Sequence, residues 1–84
     1  MTNHNLKCWL EPFEEIVQGK KRFEYRFNDR NYKVGDLLIL CEWDPKKEDY
    51  TGRVLRKRVV SILKEGFGLA KGYCVMSIGE ESEL

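Results

Sequence analysis

Gly19-Lys20-Lys21-Arg22-Phe23-Glu24-Tyr25-Arg26-Phe27 is the stretch on which the fold turns. A turn residue and three cations lead into five residues that alternate between apolar and charged. With a period of two, Phe23, Tyr25 and Phe27 point one way and Glu24 and Arg26 the other. The three aromatics are expected on the core face, which would fix the register, because a slip of one residue would bury the charges. Glu24 and Arg26 are then held side by side on a rigid outer face. Lys21 reaches them from the preceding turn.

Working outward, Leu6 to Leu10 is short and apolar-rich and reads as a first strand. Pro12 suits the first turn of a helix, where a missing N–H is harmless. Phe13, Ile16 and Val17 recur at helical spacing. Gly19 is a good stop, since glycine readily takes the left-handed conformation that closes helices. A two-turn helix over Glu11 to Gln18 therefore delivers the chain into the opening stretch. Downstream, Asn28-Asp29-Arg30-Asn31 and Lys33-Val34-Gly35-Asp36 are polar turns. Leu37 to Trp43 is a nearly continuous apolar run, as in a central strand. Asp44-Pro45 and the charged residues to Gly52 form an exposed connection. Arg53 to Lys64 is a long strand whose apolar face changes sides, which predicts a bulge. Gly66 and Gly68 frame a loop, Tyr73 to Ile78 is a last strand, and Glu80, Glu81 and Glu83 make a frayed acidic tail.

One helix followed by several strands predicts a mostly β domain. With 84 residues, 42% of them hydrophobic, and ten aromatics, the chain fits one domain over 1–84 with a core that needs no staples. Five strands in so short a chain favour a small barrel, with the helix plugging one end. The formal net charge is +1, so nucleic-acid affinity would have to come from a local patch. There is no apolar run long enough for a membrane span and no signal-peptide pattern, which makes the cytoplasm the default. Cys8, Cys41 and Cys74 are widely separated and His4 is the lone histidine. That spacing does not suit a metal site, and the thiols read as small buried hydrophobes. His4, in a polar N-terminal stretch, is given no role. No cofactor is implied.

The spacing Gly19-x-Lys21-x-x-Glu24-x-Arg26 resembles the G-x-K-x-x-E-x-R signature of the ASCH domain, a branch of the PUA-like β-barrel superfamily. The order of elements agrees. So do Asn28-Asp29-Arg30, Lys33-Val34-Gly35-Asp36, Glu42-Trp43-Asp44, Tyr50-Thr51-Gly52-Arg53 and Gly72-Tyr73-Cys74-Val75, which resemble a small bacterial and phage family of ASCH-like proteins. The resemblance implies a PUA-like barrel of about five strands, with a helix after the first and a cleft lined by the signature. It also implies RNA binding or RNA-linked regulation. Some ASCH relatives are amidohydrolases that deacylate N4-acetylcytidine with the signature lysine; they carry a threonine where this chain has Glu24.

Two functional readings follow, beside a protein-interaction module that nothing in the residues excludes. In one, the chain is an RNA- or nucleotide-binding module with Gly19, Lys21, Glu24, Arg26 and Tyr73 at the ligand. Lys20, Arg22, Arg53, Arg56 and Arg58 then serve as phosphate contacts. Glu24 suits an amino group such as cytosine N4, and Arg26 offers a planar fork to phosphate or carboxylate. In the other, the chain is a small hydrolase of modified nucleosides in which Lys21 and Glu24 are catalytic. Each has a plain structural alternative. Lys21, Glu24 and Arg26 can form an ordinary ion pair, the basic clusters can protect a strand edge, and Trp9 and Trp43 can be core. Geometry separates the two ligand sizes: a concave pocket favours a small ligand, and an open face beside Arg56 and Arg58 favours a polymer.

Overall fold

A computed structural model describes residues 1–83. Five strands, β1 (Asn3–Trp9), β2 (Phe23–Phe27), β3 (Leu37–Asp44), β4 (Asp49–Leu63) and β5 (Tyr73–Glu80), form one sheet in the order β1-β3-β4-β5-β2. Helix α1 (Leu10–Val17) follows β1 without a loop. The β1–β3 pair is parallel and the other three pairs are antiparallel. This is a mostly β fold of five strands with one short helix after the first, as the sequence predicts.

The sheet curls, and its inner face carries the core. Alternation puts Leu6 and Cys8 of β1, Leu38 and Leu40 of β3, and Cys74, Met76 and Ile78 of β5 on that face, all buried. Phe13 and Ile16, three positions apart on α1, plug the concavity. The bulge expected in β4 lies between Val59 and Ser61. Before it, Leu55 and Val59 pack inward; after it, Ile62 does, opposite Met76. The extra residue therefore keeps apolar side chains inward while bending the strand. A second irregularity falls between Cys41 and Trp43 of β3.

Several expectations are corrected. β4 begins at Asp49, so a tight turn replaces the exposed connection; Glu48, with φ of 52°, lies just before the new strand. β1 begins at Asn3, so His4 is no mobile residue. It is buried, its Nε2 lies 2.9 Å from Asp36 Oδ2, and its ring packs edge-on against buried Tyr32. Trp9 is 56% exposed at the end of β1, where the chain turns directly into the helix. Trp43 lies on the outer face between Lys7 and Tyr50, with the lysine Nζ 3.8 Å from its ring centre. Cys8 and Cys74 are buried thiols, whereas Cys41 is half-buried. Glu80 closes β5, and Glu81 is no frayed end: it accepts two hydrogen bonds from Arg56, each 3.0 Å.

Candidate functional site: the cleft between the edge strands

The largest correction concerns β2. Glu24 is buried, at 3% exposure, while Phe23, Tyr25 and Phe27 are 45–53% exposed. The strand is in the expected place with its faces exchanged. The register shows why: Glu24 sits opposite Met76, which is wholly buried, and Tyr25 sits opposite Val75 on the outer face. A buried carboxylate must be paired. Glu24 accepts from Arg26 Nε at 2.8 Å through one oxygen and from Lys21 Nζ at 3.3 Å through the other. On the outside, Tyr25 stacks on Tyr73 with centroids 5.2 Å apart, and Phe27 packs edge-on against the same ring.

Lys21 is placed by the end of α1. The Gly19 amide donates to Ile16 O at 3.0 Å, and the Lys20 and Lys21 amides both donate to Glu15 O. Gly19 takes φ of 76°, the left-handed conformation that closes a helix, and the chain reverses toward β2. Arg26 is placed from the other side. Its Nη2 donates to Lys7 O of β1 at 2.6 Å. β1 and β2 are the two free edges of the sheet. The Arg26 fork thus spans the gap between them while its Nε holds Glu24.

That gap is a cleft of roughly 390 Å³. Lys21, Glu24, Arg26 and Cys8 converge on it, with Trp9 and Pro12 on one lip and Tyr25, Phe27 and Tyr73 on the other. Burial, helped by the negative charge of Glu24, pushes the Cys8 thiol up to about 11, against the opposing pull of Lys21 and Arg26. Cys8 is therefore a neutral thiol at physiological pH and not a nucleophile. The chemistry on offer is a carboxylate flanked by two cations, with aromatic rings at both lips. Cys8 and Pro12 escaped sequence reasoning, and Trp9, weighed as a base-stacking residue but favoured as core, is exposed at the cleft; all three are brought there by the edge position of β1, which depends on distant pairings.

Of the other proposed site residues, Tyr73 reaches the cleft but Gly19 does not. Gly19 borders a second recess of roughly 330 Å³ with Arg22 and Lys57, and Lys21 lies between the two recesses. Lys20 is exposed, and the Arg22 Nε donates to Gly19 O. The second basic cluster does not join the first. Arg53 lies over the Phe13 ring and pairs with Glu14 and with buried Glu42. Arg56 pairs with Glu81, and Arg58 donates to the Gly35 and Glu81 carbonyls. Carboxylates and backbone carbonyls occupy these arginines, so they form no open cationic track. Glu42, which also accepts from Thr51 Oγ1 at 2.6 Å, is a second buried carboxylate; it sits in register with Cys8.

Among the described residues no three His, Cys, Asp or Glu side chains are grouped to hold a metal ion, and no helix is long and apolar enough to cross a membrane. Residues 3–78 match the family described as Domain of unknown function (DUF3850). A similar protein is the "Uncharacterized 12.9 kDa protein in GpA 3'region" of Escherichia phage P2, 41% identical over 59 residues. Those residues make up 70% of this chain and 52% of the phage protein, so the match spans about half the relative's length. Because the family match takes in β1 through most of β5, both edge strands and the cleft between them included, the chain belongs to the DUF3850 family.

Proposed function

We propose that the cleft binds a nucleobase or nucleotide, making the chain a small RNA- or nucleotide-binding module of ASCH, PUA-like character. The observation that carries this reading is the convergence of Lys21, Glu24 and Arg26 between aromatic lips in a concave gap. A planar base fits between rings, and Glu24, buried and paired through both oxygens, holds Lys21 and Arg26 in place to donate to the base or its phosphate. Lys21 retains 18% and Arg26 26% side-chain exposure, enough to meet a phosphate or a base carbonyl from the open side. With Arg53, Arg56 and Arg58 engaged elsewhere, recognition centres on one nucleotide unit at the cleft and not on a polymer track along β4.

The test is calorimetric titration with the four ribonucleoside monophosphates, beside Lys21→Ala. Saturable binding of at least one nucleotide is expected, weakened about ten-fold or more in the variant, since charge-assisted hydrogen bonds contribute roughly 1.5–3 kcal/mol. No binding by any of the four, at low salt, contradicts the reading.

The second reading is hydrolysis of a modified nucleoside such as N4-acetylcytidine, favoured by the 3.3 Å contact between Lys21 and Glu24 inside the cleft. With Cys8 protonated, Lys21 is the nucleophile or base of that reading, a role it takes only after passing its ammonium proton to Glu24. Product release abolished by Lys21→Ala would support it; turnover surviving that change would rule the mechanism out.

A further inference from the structure

Exposed aromatics cover the outer face of β2 and β5, where the sequence pattern alone would have buried them. Phe23 is 45% and Phe27 53% exposed, and Tyr73 joins Tyr25 and Phe27 in one ring cluster. The rest of that face is Val75 and Ser77 of β5 with Ser61 and Leu63 of β4, in register beside them. The strand residues of this patch are not acidic, and the nearest carboxylates stand at its margins: that of Glu83 lies over Gly79, the next outward residue of β5. Cations stand at both ends. At one end Lys21 Nζ lies 5.3 Å from the Phe23 ring centre, with Arg22 next in the chain. At the other, Lys64 shares a recess with Asn28, Glu65, Gly72 and Tyr73, and Lys71 precedes Gly72. Neither Lys64 nor Lys71 has a carboxylate within ion-pair distance among the described residues. Glu65, at that end, accepts from the Gly72 amide.

We propose that this outer face is a stacking path for single-stranded nucleic acid, continuous with the cleft. The proposal rests on the nucleobase reading of the cleft and names its ligand: a base within a strand, with its neighbours lying on the β2–β5 rings. Three features favour this occupant. Tyr25, Phe27 and Tyr73 line both the cleft and the outer cluster, so one strand can pass from one to the other. Alternate strand residues lie about 6.8 Å apart, close to twice the roughly 3.4 Å rise of a stacked nucleic-acid strand, which suits an extended one. A ring cluster with cations at both ends, among them Lys64 and Lys71 outside any ion pair among the described residues, complements a strand with π faces and phosphates.

The experiment compares a mononucleotide with six-nucleotide single-stranded RNA and DNA by calorimetry, for the wild-type chain, Phe23→Ala and Lys21→Ala. Phe23 does not line the cleft and is half-exposed; because its ring lies 5.3 Å from Lys21 Nζ, the mononucleotide titration of Phe23→Ala is the control that the cleft is intact. The hexamers should bind about ten-fold or more tighter than the mononucleotide. Phe23→Ala should lose about five-fold or more for the hexamers alone, the low end of one base–aromatic stack. The RNA and DNA arms tell which sugar the path accepts. Hexamers binding no tighter than the mononucleotide would overturn the path and leave the cleft reading standing. Hexamer binding sensitive to Phe23→Ala but not to Lys21→Ala would support the path and overturn the cleft reading. A dimer in light scattering that Phe23→Ala dissociates, without any effect on hexamer binding, would show that a second copy occupies the face and overturn the proposal.

Discussion

Glu24 is a carboxylate with almost no access to water, stabilised by Lys21 on one oxygen and Arg26 on the other. Replacing it by glutamine removes the charge and leaves two cations facing each other across the cleft floor. Breaking a buried pair in this way destabilises by about 3–5 kcal/mol. Because Lys21 and Arg26 keep partial exposure and can turn to water, Glu24→Gln should fall at or just below that range, at about 2–3 kcal/mol. In a domain of this size that is a fall of roughly 10–20 °C in Tm. Asp36, a third buried carboxylate beside Glu24 and Glu42, makes a prediction in pH. Burial pushes its carboxyl up, but hydrogen bonds from His4, the Thr2 amide and the Lys33 amide outweigh this and hold it below its ordinary 3.8. The stability it contributes is then complete above that value and is lost as pH falls beneath it. Melting temperature should therefore drop on the acid side, and Asp36→Asn should flatten the drop. An unchanged acid slope would contradict this account. His4 and Asp36 were invisible as a pair in the sequence, because they lie 32 positions apart and meet only when β1 pairs in parallel with β3.

At the level of elements, α1, β2 and β3 were legible to within a residue at each end, since helical spacing, strict alternation and a continuous apolar run are strong local signals. Which face of β2 turns inward was not. Alternation fixes that two faces differ, and hydrophobicity then assigns the aromatics to the core. That assignment fails where an edge strand borders a gap whose floor holds a compensated charge. Arg26 and Lys21, at two and three positions from Glu24, were the compensation; alternation and the turn already marked them as partners, but on the outer face. The bulge of β4 was legible for the opposite reason: its apolar side chains switch faces at Val59 to Ile62, and an extra residue there preserves the packing. Gly19 carries the geometry from helix to site. An added Cβ would meet nothing within 4 Å, so the effect of Gly19→Ala is conformational alone. A side chain in the left-handed region costs about 1–2 kcal/mol. Thermal unfolding should show that loss, and Gly19→Asn should recover part of it, since asparagine tolerates this conformation.

Across the whole molecule, the sheet order leaves β1 and β2 as unpaired edges, and the site is what stands between them. Arg26 bridges the edges through one backbone carbonyl, so the cleft is both an opening in the wall and the place where that opening is tied. The number of strands, the helix and the position of the signature followed from the sequence; the strand order, which makes the gap, did not, because it depends on pairings between distant segments. The arginines of β4 looked like a phosphate patch on charge alone, and their carboxylate and carbonyl partners come from α1, β3, the turn before β3 and the segment after β5. The central claim is that a nucleotide unit enters the gap between β1 and β2. Amide chemical-shift mapping during titration with ribonucleoside monophosphates tests it most directly. Saturable shifts concentrated at Lys7 to Trp9, Lys21 to Phe27 and Tyr73 are the expected result. Shifts confined to the Arg56 and Arg58 face, or none at saturating nucleotide, would contradict it.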